Sequence, residues 1–354
     1  MVEARRRGGT VVLGVPAIDG EGHPASGGMI NLANGNPDPS LLPSVEEAIA
    51  GYVPVLYGSS PVDERLRALA GDLAEPHRLV LANGAADGME RLLTTHLARG
   101  DQVAVEDPCY LAAIGTLRVN GLRPVPVPVD SDGMSPSALA AALAGGARAV
   151  ICTPRAHNPT GVSLTASRAD EIRGVLAAYP EILVIEDDHF SMISAREYHR
   201  VTPVGHARWA LVRSVSKFLG PDLRVAFVQA DPATAARLSS GATWVSHLLQ
   251  HIVASLWDVV PFADVRDTYA GRARLLTDAL QENGIDLHAP DGLNVWIPMP
   301  REGFVDALAA RGWAVRDGRD FAVGAGRPPA IRVTTATITP AQAAGLAADL
   351  AALL

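Results

Sequence analysis

Between residues 40 and 230 short apolar runs alternate with stretches of helical character. The runs fall at 79–82, 102–106, 149–153, 182–185, 210–215 and 224–229. Ala149-Val150-Ile151-Cys152 and Ile182-Leu183-Val184-Ile185 show no alternation of polar and apolar positions, the pattern of strands buried on both faces. Repetition of strand, helix and strand predicts an α/β fold with a mostly parallel central sheet covered on both sides. Ligands of such sheets gather beyond the carboxyl ends of the strands. After residue 230 the pattern lengthens into helical segments at 233–238, 244–257 and 265–281, then returns to short strands at 293–297 and 331–334. That change predicts a smaller α+β unit. Residues 1–40 are rich in turn formers, densest at Asn34-Gly35-Asn36-Pro37-Asp38-Pro39, and read as an irregular arm. The expected organisation is therefore an arm over 1–40, a large domain over 41–245 and a small C-terminal domain over 246–354.

Composition narrows the function classes. With 48% hydrophobic and 19% charged positions in 354 residues, the chain has the make-up of a soluble globular protein. Thirty basic residues against 38 acidic ones leave a net charge of −8, without the basic footprint of a nucleic-acid binder. The two cysteines, Cys109 and Cys152, form no Cys-x-x-Cys pair, which fits a reducing, cytoplasmic setting. Arg5, Arg6 and Arg7 precede a mildly apolar stretch at 10–18, but Gly14 and Pro16 interrupt it and Asp19 closes it, so no signal peptide is expected. Arg148 and Asp349 break the alanine-rich segments 137–150 and 341–354, so no membrane span is expected. His247 and His251 lie four apart on a helical segment, yet no third ligand suggests itself and no metal site is expected. Gly324-Ala325-Gly326 lacks the third glycine and the helix of a dinucleotide-binding turn.

Three segments at strand ends carry chemistry. Ser214-Val215-Ser216-Lys217 is followed seven residues after the lysine by Arg224. Two hydroxyls and a guanidinium suit a phosphate, leaving the lysine amine free to add to an aldehyde. Pyridoxal phosphate supplies both groups. Glu186-Asp187-Asp188 follows a buried run and puts a carboxylate at a strand tip, where it can keep a pyridine nitrogen protonated. Asn158, in Thr153-Pro154-Arg155-Ala156-His157-Asn158-Pro159-Thr160-Gly161, can aim its amide at a phenolic oxygen. Taken singly, each has an ordinary structural reading: a surface lysine, a metal site or solvated turn, a loop asparagine.

In this order and spacing the segments resemble the fold type I pyridoxal-phosphate aminotransferases of class I and II. They are most similar to the aminotransferase-like domains of MocR/GntR-type regulators, though without the helix-turn-helix domain. The resemblance runs from Asn31 to Thr335. It implies that Lys217 holds pyridoxal 5'-phosphate as an internal aldimine and then moves the proton at Cα. It further implies that Asp187 pairs with the pyridinium nitrogen and that Asn158 bonds the ring hydroxyl and lies beside the substrate. Ser214, Ser216 and Arg224 hold the phosphate with the backbone of Gly84, Ala85 and Ala86, although Ala85 stands where a hydroxyl is common. Tyr110 stacks on the ring, Tyr57 reaches the phosphate in the neighbouring subunit of a homodimer with shared sites, Arg332 grips the substrate carboxylate, and Gly35 lets the arm pass close to it. His189 and Phe190 stand where many members have a tyrosine, and an imidazole at His189 can replace that phenol.

The expected function is amino transfer between an amino acid and a 2-oxo acid in amino-acid metabolism or biosynthesis. Two alternatives stay open. One is another pyridoxal-phosphate reaction, a lyase, substitution or oxidase, since the bond held perpendicular to the ring is not fixed by sequence. The other is a non-catalytic sensing domain of a regulator. Against the latter, residues 1–30 do not make a winged helix-turn-helix, and Met1 favours a chain that stands alone.

Overall fold

The computed structural model describes residues 20–354 except 23, 26, 71–77 and 241–243, together with the backbone of two paired strands, β1 (Val2–Arg5) and β2 (Gly9–Val12). The apolar stretch at 10–18 lies mostly outside the described residues. A short strand, β3 (Ile30–Asn31), precedes the large sheet. That sheet has eight strands: β4 (Leu79–Ala82), β5 (Gln102–Asp107), β6 (Arg123–Asp130), β7 (Gly133–Met134), β8 (Ala147–Cys152), β9 (Leu183–Asp187), β10 (Trp209–Ser214) and β11 (Ala226–Ala230). Their order is β4-β11-β10-β9-β8-β5-β6-β7. The pairs within β10-β9-β8-β5-β6 are parallel, while β11 runs antiparallel to both β10 and β4.

Helices α1 (Glu64–Leu69), α2 (Ala85–His96), α3 (Leu111–Val119), α4 (Pro136–Ala144), α5 (Ala166–Ala177) and α6 (Pro232–Ser239) accompany this sheet. One face packs Met89, Leu92 and Leu93 of α2 and Ile114 and Leu117 of α3 against Val80, Val105, Ile151, Ile185 and Val212. The other packs Leu139 and Leu143 of α4 and Ile172 and Leu176 of α5 against Ala104, Val150, Val184 and Leu211. Consecutive residues of β8 and β9 thus enter opposite cores, which is why these runs are apolar without alternation.

Helices α7 (His247–Trp257) and α8 (Phe262–Glu282) lead to a three-stranded sheet of β12 (Asn294–Pro298), β14 (Arg316–Asp317) and β15 (Ala330–Thr334), ordered β12-β15-β14 and antiparallel. Helix α9 (Phe304–Ala309) and strand β13 (Trp313–Ala314) lie between β12 and β14, and β13 pairs with β3, tying the arm to this unit. Helix α10 (Pro340–Ala351) begins with a Thr339/Gln342 capping box and packs with α8 on the sheet through Leu276, Leu280, Leu346 and Leu350. Among the described residues no single helix is long and apolar enough to cross a membrane.

Two differences from the sequence reading have physical causes. Strand β6 carries Pro124, Pro126 and Pro128 and has no counterpart among the expected runs. The prolines occupy alternate positions, so the intervening residues keep their N–H groups for pairing with β5, and only the two-residue β7 borders β6 on its far side. The strand expected from residue 224 begins at Ala226, because Arg224 ends a short 3-10 turn in the left-handed region at φ 49°.

Candidate active site

The sheet order explains how distant segments meet. In register, Ala82 of β4 and Ser214 of β10 both oppose Ala226 of β11, so one row of the sheet ends in three loops at the same edge. Because β11 runs the other way, its entry, with Arg224, reaches the edge where β4 and β10 leave. Gly84 caps α2 with φ +90°, and a Cβ there would overlap the Arg224 guanidinium. Left-handed backbone costs an arginine about 1 kcal/mol or more. Here Arg224 lies over the first turn of α2 and donates to Asn83 O at 3.1 Å. Ser214 Oγ accepts from Ser216 N at 3.2 Å and donates to Ser216 Oγ at 2.9 Å. A helix N-terminus, two hydroxyls and a guanidinium are thereby collected at one edge, a donor set for a phosphate.

Deeper along the edge, strand alternation separates the acidic trio. Glu186 accepts from Tyr198 Oη at 2.8 Å, from Val201 N and Thr202 N at 3.1 Å, and from Thr202 Oγ1 at 2.5 Å. Asp188 holds Arg155 through two bonds of 3.0 and 2.7 Å and Arg213 at 2.9 Å. Both are structural. Asp187, 3% exposed, faces the site, where it shares a small cleft with Ala85, Ala86 and Tyr110. Its Oδ2 lies 3.2 Å from His189 Nδ1, while Oδ1 has no hydrogen-bond partner among the described residues. Neither nitrogen of His189 has one either. The imidazole lies nearly parallel to Tyr110, centroids 5.7 Å apart at 26°. Burial raises the Tyr110 phenol, and Glu21 and Asp187 reinforce the rise against Arg224 and Arg332, so it stays protonated.

Lys217 follows Ser216, its Nζ donating to Gly35 O at 2.7 Å and lying 5.8 Å from the Phe190 ring centre. Burial pulls the amine below its ordinary value of 10.5, Glu21 pulls it up and Arg332 down. Arg332 is wholly buried in β15, on the face opposite the core residues Ile331 and Val333. The neighbouring Thr334 accepts from Gly35 N at 3.1 Å and so fixes the arm.

Glu21, which the sequence reading did not single out, completes this end. Arg332 Nη1 and Nη2 donate to Glu21 Oε1 and Oε2 at 2.6 and 2.9 Å, and Asn158 Nδ2 donates to Oε1 at 2.7 Å. Asn158 Oδ1 and Ala33 O accept from the same guanidinium at 3.1 and 2.8 Å. Burial raises the Glu21 carboxyl, but the charge and hydrogen bonds of Arg332, with help from Lys217 and Asn158, outweigh it and hold the group below 4.5. Glycines on both sides, Gly20 and Gly22, mark the residue as a turn in sequence and nothing more.

The structure therefore brings Gly84, Ala85, Ala86, Tyr110, Asp187, His189, Ser214, Ser216 and Arg224 to one sheet edge, and Lys217, Gly35, Asn158 and Arg332 together beside it. Tyr57 stands apart, 90% exposed with its ring edge-on to Trp244. His247 packs on Trp244 with its Nε2 unpartnered among the described residues, and His251 Nε2 donates to Ala50 O.

A family model for aminotransferases of class I and II matches residues 28–350. The chain is 43% identical to the vitamin B6 salvage pathway transcriptional repressor PtsJ of Salmonella typhimurium, over 99% of this chain and 85% of that one. It is 25% identical to a 2-aminoadipate transaminase of Thermus thermophilus, over 88% and 86% of the two chains. Among solved structures, the α-aminoadipate aminotransferase LysN of Thermus thermophilus, complexed with N-(5'-phosphopyridoxyl)-L-leucine, superposes with a TM-score of 0.82 at 24% identity over 92% of each chain. An archaeal alanine:glyoxylate aminotransferase does so at 0.82 and 21%, over 93% of this chain and 91% of that one.

Proposed function

The chain belongs to the class I and II aminotransferase family, with the fold type I architecture and pyridoxal 5'-phosphate as its cofactor, and on that premise we propose that it binds this cofactor at Lys217 and transfers an amino group between an amino acid and a 2-oxo acid. The observation that carries the reading is the buried, unpartnered Asp187 Oδ1 at the edge where the phosphate donors meet. A buried carboxylate oxygen without a donor is costly, and a pyridinium N–H answers it.

The residues present fit the group. Arg224, Ser214, Ser216 and the first N–H groups of α2 hold a phosphate dianion, and Asp187 keeps the ring nitrogen protonated. Tyr110 would stack on the ring, and His189, beside Asp187, would offer its imidazole in place of the tyrosine that bonds the ring oxygen in many members. The cofactor, when bound, supplies an aldehyde and an electron-accepting ring. Lys217 supplies an amine whose lowered pKa favours the neutral, nucleophilic form, and the same Nζ takes and returns the proton at the substrate Cα. Arg332 binds the substrate carboxylate as a two-bond fork, which fixes the Cα relative to Lys217.

The proposed organisation keeps the arm over 1–40, a cofactor domain over 41–245 and a small domain over 246–354. Val45, Ile49, Val53, Leu56 and Tyr57, 41 to 90% exposed, form an apolar row that supports a homodimer in which Tyr57 serves the partner's site. Equilibrium sedimentation tests this. Loss of the dimer in Val53→Asp is the expected outcome.

The test of the function is a spectrum of the protein with pyridoxal phosphate, before and after a panel of amino acids without any oxo acid. Release of a 2-oxo acid with conversion of the cofactor to pyridoxamine phosphate is expected. Borohydride reduction followed by peptide mapping should find the cofactor on Lys217. A second reading, a ligand-binding module of a regulator, is favoured by the 43% identity to a transcriptional repressor. Cofactor capture with no turnover of any amino acid is its signature.

A further inference from the structure

The fork of Arg332 is already filled. A carboxylate with both oxygens on a guanidinium and one also on an asparagine amide is the bonding set that an amino acid's α-carboxylate would find there, and Glu21 supplies it from within the chain. The fit is tight. A Cβ on Gly35 would overlap the Glu21 carboxylate, so the arm is shaped at φ +63° around that group. Glu21 remains ionised at neutral pH, since its depressed pKa means that its contribution is lost only as the pH falls through a value below 4.5.

We infer that Glu21 is a ligand mimic held in cis, occupying the carboxylate subsite so that an amino acid enters only by displacing the segment around residue 21, whereas a cofactor vitamer without a carboxylate enters freely. The inference rests on the cofactor reading above and adds the selectivity of the site. The cofactor end has Asp187 Oδ1 and both His189 nitrogens open among the described residues, whereas at the carboxylate end both terminal nitrogens of Arg332 are taken and only Nε is open, so the resting chain discriminates between ligands by the presence of an α-carboxylate. Glu21 lies between Gly20 and Gly22, and its turn is held on the arm by Gly22 N donating to Asn34 O at 2.7 Å, so leaving the fork gives up that bond together with those to Arg332 and Asn158.

The experiment compares two probes on the full unloaded chain by calorimetry: pyridoxamine phosphate, which has no carboxylate, and N-(5'-phosphopyridoxyl)-L-alanine, which adds one. In the native chain the two should bind within about threefold of each other, because the carboxylate gained by the second displaces Glu21. In Glu21→Gln the alanine conjugate should bind at least tenfold more tightly than pyridoxamine phosphate. A native chain that already prefers the conjugate tenfold, with the ratio unchanged in Glu21→Gln, overturns the inference while leaving the cofactor site intact. Failure of both probes to bind either protein overturns the cofactor reading and the inference with it. Hydrogen exchange gives a readout independent of affinity: the conjugate, but not pyridoxamine phosphate, should raise exchange at residues 20–22 of the native chain. Unchanged exchange with the conjugate bound means that Glu21 stays in place, and sinks the displacement.

Glu21→Ala supplies a further arm. It leaves the wholly buried Arg332 without its anion, and acetate should raise its melting temperature while leaving that of the native chain unmoved. Equal response of the two proteins to acetate also overturns the inference.

Discussion

At the sheet edge, Asp187 Oδ1 and both His189 nitrogens are buried with no hydrogen-bond partner among the described residues, and Arg224 is exposed over the start of α2. A short distance away Arg332, buried more completely than any of them, has Glu21, Asn158 and Ala33 O arrayed on its two terminal nitrogens. The first region holds buried polar atoms that no described residue satisfies. In the second, both terminal nitrogens of Arg332 are satisfied by the chain itself, and only its Nε has no partner among the described residues. Buried polar groups left open mark where a protein depends on its ligand, and buried polar groups closed in cis mark where a ligand must compete.

The largest effect separates the two regions outright. Lys217→Ala should abolish covalent capture of the cofactor, read as loss of the visible absorption and of the borohydride-stable adduct, while Glu21 and Arg332 keep their contacts. Next, Asp187→Asn should lower the amino-transfer rate by about 10²–10³-fold, the usual consequence of removing one preorganised electrostatic partner, with capture by Lys217 retained. A rate within threefold of the native one would remove Asp187 from the cofactor end. Smaller still, Arg224→Ala should weaken cofactor binding by about 10–100-fold, the worth of a charge-assisted bond. Its effect on the KM for the amino acid should be slight, since that constant belongs to the Arg332 end.

How much of this was legible in the sequence follows the same division. Both faces of the large sheet were written in the unbroken apolar runs, and the lysine, aspartate and arginine of the cofactor end lay at fixed distances from strand ends. Local spacing marks candidates where each functional group leaves a strand of one sheet, and their roles came from the resemblance. The acidic trio marked a strand tip and the resemblance pointed to Asp187 within it, but the partners of Glu186 and Asp188, Tyr198, Thr202 and Arg213, sit on different segments and became visible only in three dimensions. Glu21 was illegible for a stronger reason. It lies 311 positions from Arg332 along the chain, in an arm whose glycines and prolines signal turns without direction. Nothing local says that its carboxylate is the one that reaches Arg332.

The smallest effect tests whether the two regions communicate through Lys217. Its amine must be neutral to add to an aldehyde, so in the unloaded chain the rate of cofactor capture should rise with pH through the lysine's folded-state pKa and level off before 10.5. Burial sets that depression, Glu21 opposes it and Arg332 deepens it, and these are the charges that face the amine. Removing the anion in Glu21→Gln should therefore move the midpoint to lower pH, and removing the cation in Arg332→Gln should move it to higher pH. The cofactor's own titrations are common to the three proteins and cancel in the comparison. The same depression makes the native state bind fewer protons than the unfolded chain between the folded pKa and 10.5, so stability should increase with pH across that window, and less steeply once Lys217 is replaced by Met. Coincident midpoints in all three proteins would mean that the carboxylate end does not reach Lys217 electrostatically, and that the contrast between the two regions is one of hydrogen bonding alone.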